Sequence, residues 1–265
     1  MSEIFRYTIL ATFLIPASAQ SQNRSAIGFG SLAVVYADHD SIVIGADTKR
    51  TLRLRDSSGK DPDFITSVIA CKISQIDSNV YFASTGTGFD SLTGFSLVQL
   101  VTSLYSNTKT LETVVLTYID RVKKALSEIV LASKDFDPIP ANKELVESVW
   151  CGFIDKKPAI FLHRFTYTPT ELKPDSVTVH YNYWFSAKSK LPYVWWPLGS
   201  HSVSHLLRNE TPDYLIKTGP VCGIKAMIMH GAITDSADIG LPLDLAIIKP
   251  DTTIWVERGA CNDPN

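Results

Sequence analysis

Gly30-Ser31-Leu32-Ala33-Val34-Val35-Tyr36, followed by Ile42-Val43-Ile44-Gly45-Ala46-Asp47-Thr48-Lys49, is the most informative stretch of the chain. Leu32 to Tyr36 and Ser41 to Ala46 are apolar, β-branched runs. Ala37-Asp38-His39-Asp40 between them supplies turn chemistry, so the pair predicts a hairpin. Residues 53–63 read as a polar loop. Val68 to Ile76 and Val80 to Ser84 then predict a second pair of strands around Asp77-Ser78-Asn79.

Gly86-Thr87-Gly88 turns the chain into a helical stretch, with Leu92, Phe95, Leu100, Val101 and Leu104 near helical spacing. A second helix, about Leu111 to Ala132, carries Val115, Ile119, Val122, Leu126 and Ile129 on one face, and Pro138 and Pro140 close it. Strand signals return at Ser148 to Ile154, Ala159 to Phe165 and Val177 to Phe185. Residues 201–234 look helical, interrupted by Pro212 and Gly219-Pro220. Leu243 to Lys249 and Thr252 to Val256 form a last strand pair. No repeat or linker is visible, and the order predicts one layered domain with helices over stacked sheets.

Composition limits the function classes. The chain has 265 residues, 45% hydrophobic and 20% charged, which is enough apolar material for a large core and too much for a disordered chain. Twenty-five basic against 27 acidic residues leave no global field for nucleic acid or anionic lipid.

Residues 1–19, MSEIFRYTILATFLIPASA, place Arg6 before a short apolar run and end in Ala17-Ser18-Ala19. That is the layout of a secretory signal peptide, too short for a membrane span. It places the protein in a secreted or periplasmic compartment, with no membrane partner once the signal is gone. Cys71, Cys151, Cys222 and Cys261 would then meet oxidising conditions, where four cysteines allow three pairings. Their wide spacing argues against zinc, and Cys222 reads as a buried structural thiol. His201 and His205 stand four apart without a third ligand nearby, so neither a metal nor a cofactor is expected.

The opening stretch resembles the N-terminal-nucleophile hydrolases of the proteasome β-subunit type, including the bacterial proteasome-like peptidases. In that family a Gly-Thr bond is cut to free an N-terminal threonine, and an Ala-Asp-Ser/Thr-Arg segment follows the second strand. Sixteen positions separate Ser31 from Asp47, as nucleophile and aspartate are separated there. Cys71-Lys72-Ile73 resembles the lysine-bearing strand, and fourteen positions lead from Lys72 to Gly86, the place of the oxyanion-hole glycine. Trp150-Cys151-Gly152-Phe153-Ile154-Asp155, Leu198-Gly199-Ser200-His201-Ser202 and Gly240-Leu241-Pro242-Leu243-Asp244-Leu245-Ala246 resemble three further family segments, in order.

The resemblance implies an α+β four-layer αββα sandwich over residues 31–265, with residues 20–30 as a propeptide. It implies self-cleavage at Gly30-Ser31, a peptide or amide substrate, and a homo-oligomer. Roles follow by position. Ser31 is the nucleophile, its freed α-amine the base, since a hydroxyl needs one beside it. Lys72 favours alkoxide character electrostatically, Asp47 holds the lysine, and the Gly86 N–H faces the developing oxyanion. Ser200, Asp235 and Asp238 stand where the family supports the N-terminal amine.

The departures carry weight too. Ser31 replaces threonine and lacks the methyl group that restricts χ1. Lys49 stands where the family has arginine, with Arg50 beside it. The loop between Asp47 and Lys72 is longer than usual. One inserted residue in the first hairpin would put Phe29 at the nucleophile position and leave a catalytically silent assembly or binding subunit; the ungapped alignment is preferred because Gly30-Ser31 supplies a cleavable bond. Trp195-Trp196, with Tyr183, Trp184 and Tyr193 near, reads as core or subunit interface rather than a ligand platform.

Overall fold

Strand pairing dominates the architecture. The computed structural model describes residues 24–30, 32–56, 64–105, 110–134, 138–186, 190–199 and 217–261; for 24–27, 29, 53–56 and 64–66 only the backbone is described. Fourteen strands and three helices lie in these residues. In chain order the strands are β1 (Arg24–Gly30), β2 (Leu32–Asp38), β3 (Ile42–Asp47), β4 (Lys49–Asp56), β5 (Phe64–Ile69), β6 (Ile73–Asp77), β7 (Val80–Asp90) and β8 (Phe95–Ser96). They continue with β9 (Glu144–Ile154), β10 (Lys157–Tyr167), β11 (Val177–Phe185), β12 (Tyr193–Gly199), β13 (Leu243–Lys249) and β14 (Thr252–Glu257). The helices are α1 (Leu97–Leu104), α2 (Leu111–Ser133) and α3 (Pro220–Thr234).

Among the described residues every strand pairing is antiparallel. A nine-stranded sheet runs β11-β10-β9-β7-β1-β4-β5, with β6 and β8 also on β7; a five-stranded sheet runs β12-β2-β3-β13-β14. The hairpin expected from the opening stretch is β2–β3, with Ala33 opposite Ala46 and Ala37 opposite Ile42. Asp38 closes its turn, its Oδ1 accepting from the Ser41 N–H at 2.8 Å.

Three apolar clusters hold the layers. Ala33, Val35, Ile42 and Ile44 of the small sheet meet Ile73, Tyr81, Val149 and Ile160 of the large one. On the outer face of the large sheet, Tyr118, Val122 and Leu126 of α2 pack with Phe82, Trp150 and Phe165. Tyr118 also donates to Ser148 Oγ at 2.7 Å, which satisfies its buried hydroxyl. Over the small sheet, Ile224, Met227 and Ile228 of α3 cover Leu32, Val43 and Leu245. Burying each such side chain contributes roughly 1.5–3 kcal/mol against chain entropy.

The four-layer αββα sandwich is corrected by these elements. Among the described residues the fold is predominantly antiparallel β, and a single helix lies over the small sheet, short of a helical layer. Three segments read otherwise from sequence are strands and shift the balance. Residues 49–56, assigned in part to a polar loop, form β4; residues 24–30, taken as propeptide, form β1; and Tyr193–Gly199 forms β12. The helical stretch after Gly88 begins only at Leu97, because β7 runs on to Asp90 and pairs with β8. One thiol departs from the reading: the free Cys222 is exposed, not buried, while Cys71 and Cys261 are joined in a disulfide, a bond that the open pairing allowed. Among the described residues no helix is long and apolar enough to cross a membrane. Residues 1–19, expected as a signal peptide, residues 20–23, Ser31, Ser200, His201 and His205 lie outside the described residues.

Candidate active site

The site forms where the two sheets are joined by short connections. Val68 to Ile76, expected as one strand, is broken at 70–72 because its halves pair with different partners: β5 with β4, and β6 with β7. The crossing segment is anchored at two successive residues. The Ala70 N–H donates to the Thr48 carbonyl at 2.7 Å, and Cys71 is bonded to Cys261. Lys72, directly after these anchors, turns inward and is only 4% exposed.

Asp47 ends β3 and is fully buried. Its Oδ1 accepts from Lys72 Nζ at 2.5 Å and from the Leu32 N–H at 2.9 Å. Its Oδ2 accepts from the Lys49 and Gly240 N–H groups at 3.1 and 3.2 Å. One carboxylate therefore ties the start of β2, the lysine segment, β4 and the C-terminal loop together. Burial is the largest influence on Lys72 and pulls its amine down to about 8; Asp47 opposes this, Arg50 adds to it, and Asp238 opposes it weakly. Such an amine exchanges a proton near neutral pH.

Gly30 and Leu32, the described residues on either side of position 31, both meet this arrangement. Leu32, on one side, is bound to Asp47. On the other, a Cβ placed on Gly30 would lie 3.7 Å from Lys72 Cε. β1 runs in the middle of the large sheet, between β4 and β7, with Gly30 opposite both Arg50 and Gly86. Gly86 has φ +78°, and a Cβ there would come within 2.2 Å of the Leu145 carbonyl oxygen, so no other residue fits the conformation. Register thus sets Gly86, the glycine expected at an oxyanion hole, directly beside Gly30.

The remaining expected residues divide. The loop after α3 is pinned to β4: Lys49 Nζ donates to the Ser236 carbonyl at 2.6 Å, and the Thr48 hydroxyl to the Pro242 carbonyl at 2.6 Å. This brings exposed Asp238 close enough for its charge to act on Lys72. Asp235 is half-buried at the end of α3, where its carbonyl accepts from Asp238 and Ile239. Asp47, Lys72, Gly86 and Asp238 therefore share one neighbourhood, with Asp235 at its margin.

Glu147 was missed by the sequence reading, and Arg50 was noted there only as the neighbour of Lys49. Arg50 lies under β1, with its Nε buried and without an acceptor among the described residues. Glu147 in β9 is 4% exposed; its Oε2 accepts from the Gly199 N–H at 2.6 Å, and its Oε1 from Arg164 Nε at 2.7 Å. It therefore fixes the end of β12, next to Ser200 in sequence. A lone acid inside the apolar run Leu145-Val146-Glu147-Ser148-Val149-Trp150 was the available signal. Cys71, Asp244 and Cys261 form a group with metal-ligand chemistry, but the two sulfurs are bonded to each other. Asp244 Oδ1 instead gathers the N–H groups of Gly259, Ala260 and Cys261 at 2.8, 3.0 and 3.0 Å, holding the disulfide's far end.

No protein-family model and no curated protein sequence matches the chain. Among solved structures it is similar to Anbu from Hyphomicrobium sp. strain MC1, at 16% sequence identity and a TM-score of 0.43, over 88% of each chain.

Proposed function

We propose that this chain is an N-terminal-nucleophile hydrolase that cuts itself between Gly30 and Ser31 and then cleaves peptide or amide bonds. The observation that carries the reading is the buried Lys72–Asp47 pair, whose carboxylate holds Leu32 and whose lysine lies against Gly30. In self-cleavage the Ser31 hydroxyl adds to the Gly30 carbonyl carbon, and neutral Lys72 takes the hydroxyl proton. The Gly86 N–H stabilises the oxyanion. The C–N bond then breaks, the nitrogen takes the proton back, and an ester joins Gly30 to the Ser31 oxygen. Water hydrolyses that ester, leaving a Gly30 carboxylate and a free Ser31 hydroxyl and amine.

In substrate turnover the freed α-amine is the base, Lys72 and Asp47 supply the electrostatic field, and Ser200, Asp235 and Asp238 support the amine. Export through residues 1–19, release of 20–30, a working domain over 31–265 and assembly into a homo-oligomer belong to the same proposal. Reaction with a β-lactone or epoxyketone probe tests it. A covalent adduct on Ser31, lost in Ser31→Ala and Lys72→Met, is the expected result; an unlabelled Ser31 in protein that begins at Ser31 contradicts it.

A second reading has one observation in its favour. β1 is paired on both sides within the large sheet, which suits a permanently uncut, silent subunit acting in assembly or binding. It requires that Ser31→Ala and Lys72→Ala leave function intact.

A further inference from the structure

β1 fills a place in the large sheet that β4 and β7 would otherwise leave open to each other's unpaired edges. Its register against β4 runs without a break from Arg24 opposite Asp56 to Gly30 opposite Arg50. Self-cleavage would free this strand, and an extended peptide could pair with the same two edges in its place. The side chains facing the slot then decide what is accepted.

Arg50 dominates one face of that slot. A Cβ on Gly28, itself buried, would lie 3.5 Å from Arg50 Cδ, and one on Gly88 would lie 3.9 Å from Arg50 Nη2. The arginine thus reaches from β4 across residue 28 of β1 to β7, and glycine at both places leaves room for it. Its Nε is buried without an acceptor among the described residues, which is costly for a guanidinium. Asp47 offsets the neighbouring Lys72 directly, whereas the buried Arg50 Nε has no such partner among the described residues. Burial lowers the Arg50 pKa, and its charge also opposes that of Lys72. A planar fork of donors in this setting matches a carboxylate.

We infer that the slot between β4 and β7 selects peptides with an acidic side chain three residues before the cut bond, at the position of Gly28, and that Arg50 is the specificity-determining residue. This rests on the proposed hydrolase reading, since the slot opens only when residues 24–30 leave it. The chain's own glycine at position 28 offers Arg50 no side-chain acceptor, so the released segment would be a poor competitor for an acidic substrate.

Two measurements test it. In the uncut Ser31→Ala chain, Gly28→Asp and Gly28→Asn add the same bulk, against Leu52 Cδ2 at 3.2 Å, and differ in charge. The aspartate form should melt about 3 °C above the asparagine form, and the difference should vanish in Arg50→Met. An aspartate form no more stable than the asparagine form, or a difference that persists without Arg50, overturns the inference. In protein processed to Ser31, peptides with Glu or Asp three residues before the cut should show kcat/KM about tenfold above Gln or Asn peptides. Arg50→Met should bring the acidic peptides and their Gln or Asn counterparts to the same kcat/KM. Cleavage without acidic preference overturns the inference and leaves the hydrolase reading intact. Processed protein that cuts no peptide overturns the hydrolase reading, and the melting comparison then decides for or against Arg50 as an acid-recognition group.

Discussion

Lys72 Nζ and Asp47 Oδ1 lie 2.5 Å apart with both side chains shielded from solvent, and the same oxygen receives the N–H of Leu32, one residue beyond Ser31. A buried pair of this kind is worth little against well-packed apolar residues, but losing one partner strands the other. Lys72→Met should therefore lower stability by about 3–5 kcal/mol, and adding Asp47→Asn should recover part of that loss. Urea unfolding of the two single variants and the double variant measures the coupling.

Self-cleavage offers a cleaner view of Lys72 than turnover does. Before the cut, the Ser31 nitrogen is an amide and cannot titrate, so the lysine is the group in play. Its amine is held near 8, protonated below and neutral above. The rate of self-cleavage should climb with pH up to about 8, close to tenfold per unit well below it, and then level off. Stability moves in the same direction: the penalty of burying the cation is complete below about pH 8 and fades as pH rises toward the ordinary value of 10.5. Intact mass across a pH series records the rate.

Gly86 and Gly88 are two residues apart on β7 yet should respond differently to alanine. At Gly86 the backbone is left-handed and the Leu145 carbonyl blocks a Cβ; at Gly88 the nearest atom is Arg50 Nη2 at 3.9 Å. Gly86→Ala should cost about 2–4 kcal/mol and stop self-cleavage, with Gly88→Ala within about 1 kcal/mol of the parent. Thermal unfolding with intact mass separates the two.

The Cys71–Cys261 disulfide joins residues 190 positions apart and ends beside Lys72. Cys261→Ser should lower stability by about 2–5 kcal/mol. Because Ala70 and Asp244 still anchor the two ends, self-cleavage in the folded variant should slow and not stop. Melting with and without a dithiol reductant reproduces the shift in the parent and leaves Cys261→Ser unmoved.

The readability of this chain followed the contrast in its residues. Leu111–Ser133 matches its helical periodicity because it has one apolar face to bury, and Val177–Phe185 and Leu243–Lys249 match the β-branched and aromatic runs that foretell them. β4 escaped notice because Arg50-Thr51-Leu52-Arg53-Leu54-Arg55 alternates charge with leucine, and the charges outweighed the alternation. The break at 70–72 depends on which neighbours β5 and β6 choose, and no local pattern encodes that choice. At the site, Asp47, Lys72 and Gly86 were singled out by the spacings from Ser31 to Asp47 and from Lys72 to Gly86, whereas Arg50 and Glu147 acquire significance only from what lies across the sheet from them. The helical layers suggested by resemblance were too many for a chain that commits so much of its length to strands.

The N-terminus of protein incubated at pH 8.5 tests the central claim most directly. Self-cleavage predicts a chain beginning at Ser31 in the parent and an intact Gly30–Ser31 bond in Ser31→Ala. A parent chain that keeps residues 20–30, indistinguishable from Ser31→Ala by intact mass and N-terminal sequencing, would contradict it.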